Sequence, residues 1–407
     1  MSAPDLHDPV ALPTSRVNPI DPPPGLRALH EQAPLRPLRY PDGHVGWLVT
    51  GYELARAVLS DARLSARSEL KRVPVSRPGA DPFIGQPALP GWFVDLDPPE
   101  HSRIRRTLTG RFTVRRIAEL SGLVERVAAE QLDRFSDGAA AGGPADLVAG
   151  YALPLPSMVI SELLGVPYAD ADMFQRQSTV LFDLEASAEE AEVAMQVLTD
   201  YLLGLVRQQR ARPGPGLIGV MAAAEDLTDL EIAGAGVLLL TAGHETVASM
   251  LGLSAFTLLT HPQLLAATLS GEPTWTETVD ELLRYLTIFQ FGVPRSPLEV
   301  VELAGQMVRP GETVTVSLPA ANRDATQFDF PDELRPGRHR RSHLAFGFGP
   351  HQCIGQHLAR LELRIGLDAL FRRLPDLALA VPAGDLHFHD DVGFYGVHQL
   401  PVRWGSR

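Results

Sequence analysis

Cys353 is the only cysteine among 407 residues, and it lies in Phe346-Gly347-Phe348-Gly349-Pro350-His351-Gln352-Cys353-Ile354-Gly355. A thiolate is a soft metal ligand and a strong nucleophile. One sulfur cannot build a zinc or iron–sulfur site, each of which takes several protein ligands. We read Cys353 as a metal ligand, beside two alternatives. It could be a small buried apolar residue, or a nucleophile with His351 as its base, although no cysteine-protease signature surrounds it.

A second group able to do chemistry is Ala242-Gly243-His244-Glu245-Thr246. Two small residues leave room beside the backbone, and a carboxylate and a hydroxyl follow within one turn. A carboxylate inside an apolar helix is costly unless it is paired or functional. The alternative is a helix-packing groove with a solvent-facing glutamate. His101 and Arg105, four apart, share a helix face and could clamp an anion, or belong to a solvated basic face. Glu281 and Arg284 have the spacing of an i, i+3 ion pair.

Several elements must position these groups. From Ile354 to about Leu374, Leu358, Leu361, Leu363, Ile365, Leu367, Leu370 and Phe371 recur at helical spacing. Cys353 therefore precedes a helix, whose N-terminal dipole and free N–H groups favour a thiolate. Thr228-Asp229-Leu230-Glu231 reads as a capping box opening a long helix that ends before His261-Pro262. Further helices are expected at 52–59, from Pro99, at 117–135, 147–164, 168–185 and 189–211, and on a segment capped near Thr276. Strands are expected at 36–40 and 44–50 around Pro41-Asp42-Gly43, at 300–303 and 306–308 across Ala304-Gly305, and at 313–318. The seven prolines between residues 67 and 99 exclude a long helix there, and Phe83, Ile84, Trp92 and Phe93 argue for a packed lid.

Phe-x-x-Gly-x-His-x-Cys-x-Gly, met at Phe346, Gly349, His351, Cys353 and Gly355, resembles the haem-binding loop of the cytochrome P-450 superfamily. The resemblance implies that Cys353 is the proximal ligand of haem b, iron protoporphyrin IX, in a loop shaped by Phe346, Gly347, His351 and Gly355. It implies that His101, Arg105 and Arg295 bind haem propionates. Ala242 and Gly243 would line the oxygen site, while Glu245 and Thr246 carry protons to it; Val247 stands where a second threonine is frequent. Glu281 and Arg284 would be a buried structural pair. Glu333 stands where their arginine partner is usual, leaving Arg335 or Arg338 as substitutes. Asn322-Arg323-Asp324 also resembles the family, so the likeness runs from the first strands to the C-terminus.

The expected fold is mainly α with a smaller β region, a single haem domain over residues 21–407 behind a loose N-terminal segment, 1–20. The implied activity is insertion of one O2-derived oxygen into a C–H bond or alkene. Peroxide-driven oxidation, oxidative coupling and non-catalytic ligand sensing are the alternatives. The one Gly-x-Gly-x-x-Gly, from Gly214 to Gly219, follows a helical segment rather than a strand, so no dinucleotide-binding segment is read and electrons from NAD(P)H are expected through a ferredoxin and its reductase. Their docking face is placed on Arg103, Arg106, Arg111, Arg340, Arg341 and Arg360.

The net charge of −13 and the lack of a basic tail exclude nucleic acid as a partner. The N-terminus has neither a basic nor an apolar leader region, and the apolar run from Ile232 to Ala242 is short for a membrane span. A cytoplasmic, bacterial, monomeric protein is expected. The pocket walls are expected from the lid, from Leu238, Leu239 and Ala242, from Ile288, Phe289, Phe291 and Val293, and from Phe394 and Tyr395. They are overwhelmingly apolar and suit a polyketide, macrolide or terpenoid intermediate.

Overall fold

At the N-terminus of the helix Asp229–Thr260, the Thr228 hydroxyl accepts from the Glu231 N–H and the Glu231 carboxylate accepts from the Thr228 N–H. This reciprocal cap starts a 32-residue helix that is apolar all round, and such a helix belongs at the centre of a core. It is buried from Ile232 to Thr241 and again from Val247 to Leu258. The helix is long and apolar enough to cross a membrane, but 78% of that window lies inside the protein. In the computed structural model that gives this architecture, residues 8–76, 85–138, 144–183, 185–338, 342–389 and 392–405 are described.

Helices Pro154–Leu164, Ala171–Phe182, Ala188–Ala211 and Gln356–Arg373 pack against the long helix. Helix Ser121–Gly138 covers Gln356–Arg373 on its other side. Beside them lies a five-stranded sheet in the order Leu35–Arg39, Val45–Val49, Val314–Val316, Val293–Pro297, Leu64–Ser65. Val45–Val49 and Val314–Val316 run parallel, and the other pairs are antiparallel. The hairpin Val301–Leu303 with Gln306–Val308 turns through Ala304 and Gly305, as expected.

Three local readings differ. The helix expected to be capped near Thr276 is Trp275–Leu286 and is capped by Thr274, with Glu277 closing the box. The strand expected over 313–318 stops at Val316 because the Ser317 side chain caps a short helix, Leu318–Ala321. The N-terminal segment expected to be loose is tied down from residue 8 onward. Val10 donates to Pro37 O at 3.1 Å and accepts from Arg39 N at 2.8 Å, using the free edge of the sheet. Leu12 and Ile20 are buried, and the Arg16 guanidinium lies 3.6 Å over the Tyr395 ring.

Candidate functional site

The cysteine loop is held from several directions. Cys353 N–H donates to Phe346 O at 2.9 Å, and Gly347 N–H to Leu344 O at 2.8 Å. Leu344 N–H donates to Asn322 Oδ1 at 2.6 Å, and Tyr52 Oη donates to Ser342 O. Gly349 has φ +76°, and a Cβ there would stand 2.5 Å from Leu59 O. Only glycine lets the loop rest this closely on the end of helix Tyr52–Ser60. Arg56 lies over Phe348 and Arg360 over Phe346, each 4.5 Å from the ring centre. Gly355 is the N-cap of Gln356–Arg373, so Cys353 precedes the helix as the spacing required.

Cys353 is a free cysteine with an exposed side chain. Crowding by surrounding protein pushes its thiol pKa up, while the Gly355 and Gln356 amides and Arg105 and Arg360 pull it down. Burial wins, so the helix terminus alone does not make a thiolate; a coordinated metal cation would. Among the described residues no group of three His, Cys, Asp or Glu side chains could hold a metal.

Beside the cysteine the structure gathers the cationic groups. The His101 and His351 rings lie 4.1 Å apart, and Arg105 Nη2 donates to Gln352 O. His101 and Arg295, the latter on strand Val293–Pro297, are 2% and 5% exposed. Burial, then the Arg105 charge, lowers the His101 pKa to about 4. Burial, then Arg295, His101, Lys71 and Arg105, lowers that of His351 to about 2. Burial lowers the Arg295 pKa to about 10. His101 Nδ1 and Nε2 and His351 Nδ1 are buried without a hydrogen-bond partner among the described residues. The carboxylates that act on them are otherwise engaged, Asp95 with Lys71 and Asp97 with the Ser65 hydroxyl and the Ala66 N–H, so the converging donors and guanidinium fit a dianionic ligand.

The long helix supplies a bare stretch. Between its two buried runs, Ala242 is exposed and Gly243, Glu245 and Thr246 are partly exposed. Thr246 Oγ1 donates to Ala242 O at 2.8 Å. Burial raises the Glu245 pKa to about 7, partly offset by a hydrogen bond with Thr179. Thr179 lies on helix Ala171–Phe182, and nothing in its local sequence marked it. His244, 3.7 Å from Glu245 through Nδ1, is buried with its Nε2 unpartnered among the described residues, and burial lowers its pKa to about 4.

Glu281 and Arg284 form two hydrogen bonds of 2.8 Å with side chains 5% and 2% exposed. Arg284 also donates to Asn322 O, Pro331 O and Glu333 O. Arg338 supplies the third side chain, and Arg335 contributes its backbone N–H.

The expected pocket residues scatter. Phe83 and Ile84 lie outside the described residues. Phe93 is 2% exposed and 6.4 Å from the His101 ring; Trp92, Leu238, Leu239 and Ile288 belong to or pack on the same core. Phe289 and Phe394 pair at 5.4 Å across a β-bridge. Phe291 packs instead on the N-terminal cluster of Leu12, Leu26 and Leu38, because it immediately precedes the strand. Val293 pairs with Val316 and packs on the sheet core. Tyr395 is buried between Arg16 and Phe388. Of the docking arginines, Arg106 and Arg111 are exposed. Arg103 is instead paired with Glu231 and Arg360 with Asp280, while Arg340 and Arg341 lie outside the described residues.

A thiol, a set of buried anion-binding donors and a bare helical stretch fit iron protoporphyrin IX. The Cytochrome P450 family model matches residues 273–375. Cytochrome P450-SU2 of Streptomyces griseolus is 44% identical over 400 residues, 98% of each chain. Pentalenic acid synthase of Streptomyces avermitilis is 42% identical over 97% of this chain and 98% of its own. The crystal structure of CYP105P1 in complex with filipin I superposes with a TM-score of 0.91 at 40% identity, covering 98% of this chain and 100% of that one. Similarity of this extent, carried on the cysteine loop, establishes that the chain belongs to the cytochrome P450 family of oxygen-incorporating oxidoreductases.

Proposed function

We propose that this protein uses O2 to add one oxygen atom to a bulky apolar small molecule of bacterial secondary metabolism. The observation that carries this reading is the break in the long helix between its two buried runs, where Ala242, Gly243, Glu245 and Thr246 are accessible. Bound haem supplies the redox chemistry. Cys353 would hold its iron, and His101, Arg105, Arg295 and His351 would bind its carboxylates.

Thr246 keeps its hydroxyl on the helix backbone through Ala242 O, leaving the oxygen lone pairs to accept a hydrogen bond in the cleft. Glu245, with a pKa of about 7, is partly protonated at neutral pH and so both takes up and releases protons. Phe289 and Phe394 present apolar surface and no charge to pair with an ionised guest. A relative that makes pentalenic acid and a neighbour that holds filipin I support a secondary-metabolite substrate. Electrons are assigned to NAD(P)H through a ferredoxin and its reductase.

The test is a ligand screen of the ferric holoprotein for a Soret shift toward high spin, followed by turnover under 18O2. Bulky apolar compounds should give the shift and a product carrying one labelled oxygen. A shift only with small polar or charged compounds overturns the substrate reading. Unlabelled product formed with peroxide alone overturns the O2 reading.

A further inference from the structure

Gly234 lies within the first turns of the long helix, a poor place for glycine on helix propensity. Its reason is the neighbouring chain. A Cβ on Gly234 would stand 1.9 Å from Pro90 O and 3.0 Å from Pro90 C. The contact is reciprocal: Gly91 has φ +82°, and a Cβ there would stand 2.0 Å from Glu231 O and 2.6 Å from Ala235 N. Two backbones therefore meet with no side chain between them. Gly236, two residues on, is different, for its Cβ would meet only the flexible end of Leu202 at 3.1 Å.

The contact is braced on both sides. Arg103 pairs with Glu231 and donates to Asp226 O at 2.5 Å, so the helix Glu100–Thr109 that follows the proline-rich segment is bound to the same end of the long helix. Trp92 N–H donates to Leu89 O at 3.0 Å, and the turn Phe93–Asp95 follows at once. Phe93 then packs near His101.

We propose that Gly91 and Gly234 are positioning residues that clamp residues 89–95 to the long helix and thereby set where Trp92 and Phe93 stand relative to Ala242, fixing the size of guest admitted. The proposal rests on the reading of this segment as a substrate wall. Ala242 lies eight positions after Gly234, about 12 Å along the helix, so the clamp acts at a distance from the oxygen-facing stretch. Because the contact is backbone to backbone, it is present with or without a guest.

The test compares Gly234→Ala with Gly236→Ala, reading haem content, the ferrous–CO spectrum and the affinities of imidazole and of a bulky triaryl imidazole. Gly234→Ala should keep its haem and its imidazole affinity but weaken the bulky azole by roughly tenfold or more. Gly236→Ala should match wild type in all of these. Wild-type affinity of Gly234→Ala for both azoles overturns the clamp. Hydrogen exchange on the wild-type holoprotein decides the matter even if Gly234→Ala does not fold. Amides of residues 91–95 should be as protected as those of 232–236 before any azole is added. Fast exchange there, slowed only by the bulky azole, also overturns the clamp. If bulky apolar compounds fail to bind wild type, the substrate reading fails instead, and the exchange result still judges the clamp.

Discussion

Arg338 Nε donates to Glu281 Oε1 at 2.8 Å, the oxygen that also accepts from Arg284 Nη2 and from the Arg335 N–H, each at 2.8 Å. Arg338 further donates to Asp329 O, Phe330 O and Glu333 O. One buried carboxylate thus joins helix Trp275–Leu286 to the segment leading into the cysteine loop. Removing Glu281 would leave two guanidinium groups facing each other, a loss of roughly 3–5 kcal/mol for buried pairs. Glu281→Ala and Arg338→Ala should each lower the urea midpoint and the yield of haem-loaded protein. Arg338→Lys should recover little of either, because an ammonium cannot reproduce the fork. Wild-type haem content in both alanine variants would contradict this.

Cys353→Ala removes the only sulfur in the cysteine loop and, on the proposed reading, the iron ligand. The ferrous–CO complex should lose its strongly red-shifted Soret band while the helical circular dichroism persists. Persistence of the band would mean the ligand is another residue.

Thr246→Ala leaves the helix intact, since among the described residues the hydroxyl bonds to Ala242 O of its own turn. Haem content and substrate shift should be unchanged, and product formation should fall by roughly 10²-fold as proton delivery is lost. NADH use should continue, with electrons appearing as peroxide or water. Unchanged product per NADH would remove Thr246 from the proton path.

Burial raises the Glu245 pKa to about 7 in the folded state, against 4.5 for an unperturbed glutamate. The folded state therefore binds more protons than the unfolded state between these values, and its stability falls as pH rises through that window. Above pH 7 the ionised carboxylate costs the fold about 3 kcal/mol. Glu245→Gln should raise Tm at pH 8, have little effect at pH 4.5, and flatten the stability profile between. An equal Tm gain at both pH values would show that ionisation is not the cause.

Arg106 and Arg111 are exposed near the N-terminal half of the chain's basic segment, whereas Arg103 is already committed to Glu231. Charge reversal at Arg106 and Arg111 should slow reduction by an acidic ferredoxin and reduce the salt dependence of the rate. Arg103→Gln should leave the salt slope nearly unchanged. A rate insensitive to salt in wild type would rule out this docking face.

The cysteine loop was legible because its chemistry is local: spacing alone put Cys353 ahead of a helix, and the cap at Thr228 set the start of the long one. What sequence could not rank was competition between distant groups. Burial outweighs the helix terminus at Cys353, and Arg338 rather than Arg335 sends its side chain to Glu281. Nothing in the local sequence marks the glycines at 91 and 234, although each is required by the other's backbone. Residues 10–20 looked loose because edge pairing by Val10 depends on a strand whose exposed side sequence does not reveal.

The sheet that carries Arg295 has a bearing on synthesis. Tyr40 Oη bonds Thr315 Oγ1 275 residues later, and the Tyr52 N–H bonds Asp324 272 residues later. Val45–Val49 has no parallel partner until Val314–Val316 leaves the ribosome. The long apolar helix is made well before Cys353, and at 5–20 residues per second the interval is on the order of ten seconds. A nascent chain paused in that interval has the helix that carries His101 and Arg105 but not yet Cys353. Haem capture at all of its grips is therefore confined to the final stage of translation or after release, and until then the apolar helix needs cover from its own neighbours or from a chaperone.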